Sequence, residues 1–255
     1  VPKGAPKIAA LILAAGFSHR MRQAQDRAEE AAQQAVGRAV SARNRGSAAE
    51  KHKLLIPLRR AGDAHAHPVL AHVLHRVMAV DFAEILLVLG PEAERIQTAL
   101  RPSLKTMERL RMITHQQSHH GLSRSLQAGL KALSPTSEAV MVFLGDMPGI
   151  TTALIQSVRD GYAPDQQSLI CQPVFQDSGQ EGPAPDSRPQ PGHPILWDAR
   201  FFPDLMAIDG DQGGRSVLRR FPHYHARIPT SEWGAILDVD DLQALAKIKE
   251  KCGFS

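Results

Sequence analysis

Residues Leu13-Ala14-Ala15-Gly16-Phe17-Ser18-His19-Arg20-Met21 form a glycine-containing stretch that follows an apolar run, Ile8 to Leu13, and ends in a cation. A strand feeding such a loop can turn successive backbone N–H groups toward phosphate. Its small side chains leave room for a base, and Arg20 adds fixed positive charge. The stretch lacks the Gly-Lys-Ser/Thr ending of a P-loop and the glycine spacing of a dinucleotide fingerprint. Taken alone, a strand followed by Ala-Ala-Gly is equally an ordinary tight turn. Three later segments favour the chemical reading. Lys53-Leu54-Leu55 supplies a second cation, Gly145-Asp146-Met147-Pro148 places a carboxylate just after the apolar run Ala139 to Leu144, and Asp238-Val239-Asp240 adds two more carboxylates near the C-terminus. Cations and carboxylates delivered at strand ends suit metal-assisted phosphoryl chemistry.

The elements that must position these groups are legible as alternating periodicities. Strand-like runs recur at Ile8–Leu13, Glu84–Leu89, Arg111–Thr114, Ala139–Leu144 and Ser168–Pro173, which predicts an α/β fold with a mainly parallel sheet covered by helices on both faces. Between them, Val69, Leu70, Val73, Leu74, Val77 and Met78 have the spacing of a core-facing helix, as do Leu122, Leu126, Leu130 and Leu133. Ligands of open α/β sheets sit outside the carboxyl ends of strands, where Ala14–Gly16 and Asp146 both fall. Because the candidate residues are scattered from Gly16 to Asp240 and must converge, residues 1–255 are expected to form a single domain. Two segments interrupt the alternation. Residues 22–50 are rich in Ala, Gln, Arg and Glu and read as an exposed helical arm to about Val40, then a flexible stretch around Asn44–Ser47; residues 176–191, with four prolines, read as a loop.

Composition narrows the function classes. The formal net charge of +4 suits anionic nucleotides without pointing to nucleic acid. Cys171 and Cys252 are too few for a disulfide framework or a metal cluster, which fits a cytoplasmic protein. No apolar stretch approaches the roughly 20 residues needed to cross a bilayer, and Val1 to Lys7 lacks the apolar core of a signal peptide. His65, His67, His72 and His75, and His115, His119 and His120, have no Cys or acidic partner at ligand spacing, so they are expected to be exposed histidines rather than zinc ligands. Trp197 and Trp233 are expected in the core or a cleft wall.

With these motifs in order, and with Gly192-His193-Pro194 and Gly210-Asp211-Gln212-Gly213-Gly214-Arg215, the chain resembles the molybdenum cofactor cytidylyltransferases within the wider MobA-like nucleotidyltransferases, from about Ile8 to the C-terminal helix. The resemblance implies a Rossmann-like nucleotidyltransferase domain that transfers CMP from CTP to the phosphate of the molybdopterin cofactor, releasing pyrophosphate with the help of Mg²⁺. It implies nucleotide contacts from Leu13, Ala14, Ala15, Gly16, Gly121 and Ser125, with Arg20 and Lys53 on the triphosphate and Lys53 nearest the α-phosphate. Asp146 is the first choice for the metal ligand and Asp240 the second, with Asp238 its competitor. Gly192, His193, Pro194, Asp211 and Arg215 match the acceptor side of the cleft. Ala15 favours CTP, since related guanylyltransferases usually carry Gly there.

Ordinary structural roles remain open for several of these residues. Asp146 could cap a helix beginning near Thr151, Asp240 or Asp241 could cap a final helix over Leu242–Lys249, Ser125 could simply sit in a first helical turn, and His193 could be structural. Two departures from the family stand out: the 22–50 insertion separates Arg20 from Lys53, and His52 stands where relatives usually carry Asn. Competing expectations are transfer to a sugar phosphate or other small phosphate, and a carrier that delivers the cofactor to a recipient molybdoenzyme through the 22–50 arm.

Overall fold

The computed structural model describes residues 5–15, 52–103, 109–115, 122–177, 188–210 and 214–255. Strands are β1 (Ile8–Ala14), β2 (Pro57–Leu58), β3 (His67–Pro68), β4 (Glu84–Leu89), β5 (Leu110–Thr114), β6 (Ala139–Leu144), β7 (Ile170–Phe175), β8 (Gln190–Pro191), β9 (Ile195–Asp198) and β10 (His225–Thr230). Helices are α1 (Val69–Met78), α2 (Ala93–Leu100), α3 (Leu122–Ala132), α4 (Thr152–Asp160), α5 (Phe202–Met206), α6 (Arg215–Arg220) and α7 (Leu242–Cys252).

The main sheet runs β10-β7-β9-β6-β1-β4-β5, with β8 on β7. Its β6-β1-β4-β5 half is parallel throughout. β9 runs antiparallel to both β6 and β7, so the sheet is mixed on that side, a feature absent from the sequence reading because Ile195–Asp198 is too short to show a clear period. The Pro-rich stretch 176–191 was expected to be loop, yet its end, Gln190–Pro191, pairs with β7. The strand expected at Ser168–Pro173 begins and ends two residues later.

Both sheet faces are buried, as continuous apolar strands require. Ile8, Ala10, Ile12 and Ala14 of β1 face a core layer with α1, α2 and α4. Ala9, Leu11 and Leu13 face the opposite layer with α3, α5 and α6. A third cluster joins Ile56, Leu58 and Val69 to Leu237, Val239, Ile248 and Phe254, tying the C-terminal helix to the segment after residue 52. Trp197 lies in the core at 2% exposure. Trp233 is half-buried against Phe175, with the Lys247 ammonium over its ring.

His72 departs from the expected exposed histidines. It is buried on α1, and its Nε2–H donates to the Leu58 carbonyl at 2.9 Å. Among the described residues no helix is long and apolar enough to cross a membrane.

Candidate functional site

The site is assembled where β1 and β6 end side by side. Gly145 follows β6, and its N–H donates to the Leu13 carbonyl at 2.9 Å; a Cβ there would lie 3.0 Å from that of Ala14, so glycine permits the close approach. Asp146 is thereby held beside the end of β1. Its own carbonyl accepts the Val239 N–H at 2.9 Å, a bond that brings Asp238-Val239-Asp240 against it across more than 90 residues of chain. The structural alternatives for these acids fall away. Thr151 caps α4, its hydroxyl accepting from Leu154 N–H, and Asp241 caps α7, accepting from Ala244 N–H, so neither Asp146 nor Asp240 does so. α7 runs on to Cys252, beyond the expected Lys249, and stops at Gly253, whose φ of 71° ends the helix.

Asp146, Asp238 and Asp240 each offer a carboxylate oxygen within 4.8 Å of the others. Lys53 enters from the short 3₁₀ turn Lys53–Leu55, whose Leu54 and Leu55 are anchored in the core. Its Nζ donates to Asp146 Oδ2 at 2.5 Å and to Asp240 Oδ1 at 2.9 Å. Burial works against the charge on Lys53, but the Asp146 carboxylate and then Asp240 outweigh it and hold the ammonium above the ordinary lysine range. Asp238 responds oppositely. Burial, then the Asp146 and Asp240 charges, push its carboxyl up to about 6, with Lys53 pulling the other way. Asp238, buried beside the Asp146 and Asp240 charges that hinder its ionisation, completes a donor set that a hard divalent cation would relieve.

The residues expected on the acceptor side, Gly192, His193, Pro194 and Arg215, belong to the 188–210 and 214–255 segments. Gly192 N–H donates to the Pro173 carbonyl and His193 N–H to the Ala235 carbonyl, each at 2.8 Å, and the His193–Pro194 peptide is cis. Burial lowers the His193 imidazole to about 4, opposed by the Asp146 charge and by a hydrogen bond to the Val142 backbone, and reinforced by Arg215. His193 is therefore neutral near pH 7, and its Nδ1 is buried without a partner among the described residues. Arg215 opens α6 behind Gly214, which packs on the Trp197 ring. The charges of Asp146 and Arg215 both reach His193, with opposite effect.

Ala14 and Ala15 also border a shallow, half-open pocket completed by His52, Gly90, Pro91, Glu92 and Ile96. The sequence reading missed Gly90-Pro91-Glu92, although they directly follow β4 and the rule that pointed to Ala14 and Asp146 also covers them. Leu13 is core, with its carbonyl taken by Gly145. Ser125 is buried in the first turn of α3 and does not line this pocket. Gly16, Arg20, Gly121, Asp211 and the whole of the 22–50 arm lie outside the described residues.

The model of the MobA-like NTP transferase domain matches residues 10–227. The chain belongs to this family. No curated protein sequence matches it. Among solved structures it is similar to Rv0371c of Mycobacterium tuberculosis H37Rv at 20% identity, covering 97% of this chain and 100% of that one with a TM-score of 0.65; Rv0371c has also been solved in complex with manganese. A Methanothermobacter nucleotidyl transferase, Mth528, is 19% identical over 96% of this chain and 97% of its own, with a TM-score of 0.67. The 4-diphosphocytidyl-2C-methyl-D-erythritol synthase of Anaerococcus prevotii is 16% identical over 95% and 96%, with a TM-score of 0.60. At these identities the likenesses establish the family's single α/β domain in this chain.

Proposed function

We propose that this NTP transferase moves CMP from CTP to the phosphate of molybdopterin and releases pyrophosphate. The observation that carries the transfer chemistry is the placement of Lys53 between Asp146 and Asp240 at the ends of β1 and β6. In the reaction an acceptor phosphate oxygen attacks the α-phosphorus, a new P–O bond forms, and the bond to the bridging oxygen breaks as pyrophosphate departs. The nucleophile is already an anion, so no strong base is required. The difficulty is to bring two anions together and stabilise the charge that builds on the α-phosphate and leaving group. Lys53, with Arg20, supplies positive charge for this. Asp146 and Asp240, joined by Asp238, would hold Mg²⁺, which when bound screens phosphate charge and orients phosphate oxygens. Neutral His193 and cationic Arg215 face the acceptor, and the pocket beside Ala14, Ala15 and Gly90 receives the nucleoside.

CTP rests on Ala15, whose Cβ takes space that glycine leaves open. A second reading, transfer to a small sugar or polyol phosphate, is supported by the likeness to the methylerythritol synthase. The product named for that enzyme also carries a diphosphocytidyl group, so the two readings share cytidylyl transfer and differ in acceptor. Pyrophosphate release, measured with each triphosphate against molybdopterin and against a panel of sugar phosphates, is expected to be greatest for CTP with molybdopterin. Equal kcat/KM for CTP and GTP would remove the cytidylyl assignment, turnover only with a sugar phosphate would move the acceptor, and no turnover with any pair would remove the reading altogether.

A further inference from the structure

His52 is buried, at 5% exposure, immediately before the lysine that joins the carboxylates. Its backbone is extended, with φ −103° and ψ 117°, and it stands at the N-cap of the Lys53–Leu55 turn. Two bonds from this residue close the turn. Its carbonyl accepts the Leu55 N–H at 2.8 Å, and its ring Nδ1 accepts the Leu54 N–H at 3.3 Å.

In Asn the Oδ1 and in His the Nδ1 are each bonded to Cγ, so either can accept a main-chain N–H two residues on, as N-cap side chains do. An imidazole that accepts at Nδ1 carries its proton at Nε2. The turn is then pinned from both ends: the ring fixes its start, and buried Leu54 and Leu55 fix its remainder. Lys53, the turn's first residue, is left to reach Asp146 and Asp240. We infer that His52 is a positioning residue which, through its Nδ1 cap on Leu54, holds Lys53 in register with Asp146 and Asp240. The inference deepens the nucleotidyl-transfer reading and rests on it only for the catalytic consequence.

Three substitutions separate capping from mere bulk. His52→Asn keeps an acceptor at the δ position, His52→Gln moves its polar atoms one bond farther out, and His52→Ala removes them. In the substrate-free full-length chain, an NMR titration of the Lys53 Cε signal is expected to show the raised ammonium pKa retained in His52→Asn and lowered in His52→Gln and His52→Ala, as the lysine leaves its carboxylates. In turnover at saturating CTP, His52→Gln and His52→Ala should lose on the order of tenfold or more in kcat, a loss that His52→Asn, which keeps the cap, largely restores. A Lys53 titration unchanged in a folded His52→Ala protein, or as disturbed in His52→Asn as in His52→Ala, would overturn the inference. The Lys53 titration needs no substrate, so it tests the positioning role even if wild-type protein proves inactive with CTP, the result that would sink the functional reading instead.

Discussion

At the scale of single residues, the charge arrangement of the cleft makes Asp146 the group whose loss should cost most. It is shared between the Lys53 ammonium and the carboxylate set, and a neutral amide is a far weaker ligand for a hard cation. Asp146→Asn should fold normally and lose on the order of a hundredfold in turnover, the equivalent of about 3 kcal/mol of charge stabilisation. Wild-type rates in a folded Asp146→Asn protein would remove the metal assignment. Acid stability involves different residues, since burial lowers the imidazoles of His72, His193 and His225 alike, and His72 is the one set apart from the candidate site. Burial, the largest influence on His72, lowers its imidazole below the ordinary 6.5, although the bond to the Leu58 carbonyl opposes the shift. The unfolded chain therefore takes up a proton near 6.5 that the folded chain resists, so stability is fullest above that pH and declines below it until the folded-state pKa is passed. Melting temperatures measured from about pH 7.5 down to about 5 should fall, and a His72→Gln protein, able to keep a donor toward Leu58 but unable to titrate, should show a flatter profile. Equal slopes in the two proteins would assign the acid sensitivity elsewhere.

At the scale of elements, the Gly192-His193-Pro194 segment, proposed to face the acceptor, depends on backbone meeting backbone. A Cβ on Gly192 would lie 2.4 Å from the Ala235 carbonyl oxygen, and one on Gly234 would lie 2.0 Å from that of Gly149. Neither neighbour is a side-chain tip that can swing aside. Gly192→Ala should therefore destabilise the fold by about 1–3 kcal/mol, the usual cost of overpacking, and displace His193, whose N–H bonds to that same Ala235 carbonyl. Thermal unfolding reads the first effect and KM for the acceptor the second; an unchanged melting temperature would show that the 192–194 segment moves freely.

For the whole molecule, the 22–50 arm poses the main question. Between residues 22 and 50 the large apolar side chains are Val36 and Val40 alone, and from Arg20 to Lys53 eight Lys and Arg face four Asp and Glu. Ala15 and His52 flank this stretch and border one pocket, so a brief linker can span the gap. Shortening Gln23–Ala49 should leave a folded protein that binds CTP, checked by circular dichroism and calorimetry. Failure to fold would make the arm part of the core; turnover without maturation of a molybdoenzyme would favour docking, which should weaken with salt because the screening length is about 8 Å at physiological ionic strength. By itself the sequence determined the parallel half of the sheet, the α1 and α3 stripes and the strand-end motifs, because strand and helix periods are local and β1, β4 and β6 are apolar on both faces. It left Asp240 and Asp241 interchangeable and could not choose between Asp238 and Asp240. Only the tertiary structure set Asp241 apart, as the cap of α7, and in place of a choice between Asp238 and Asp240 the bond from Val239 to Asp146 puts both in one carboxylate set. Contacts between residues so far apart leave no periodic trace in the chain, and the antiparallel β9, four residues long and paired on both edges with distant strands, was hidden for the same reason.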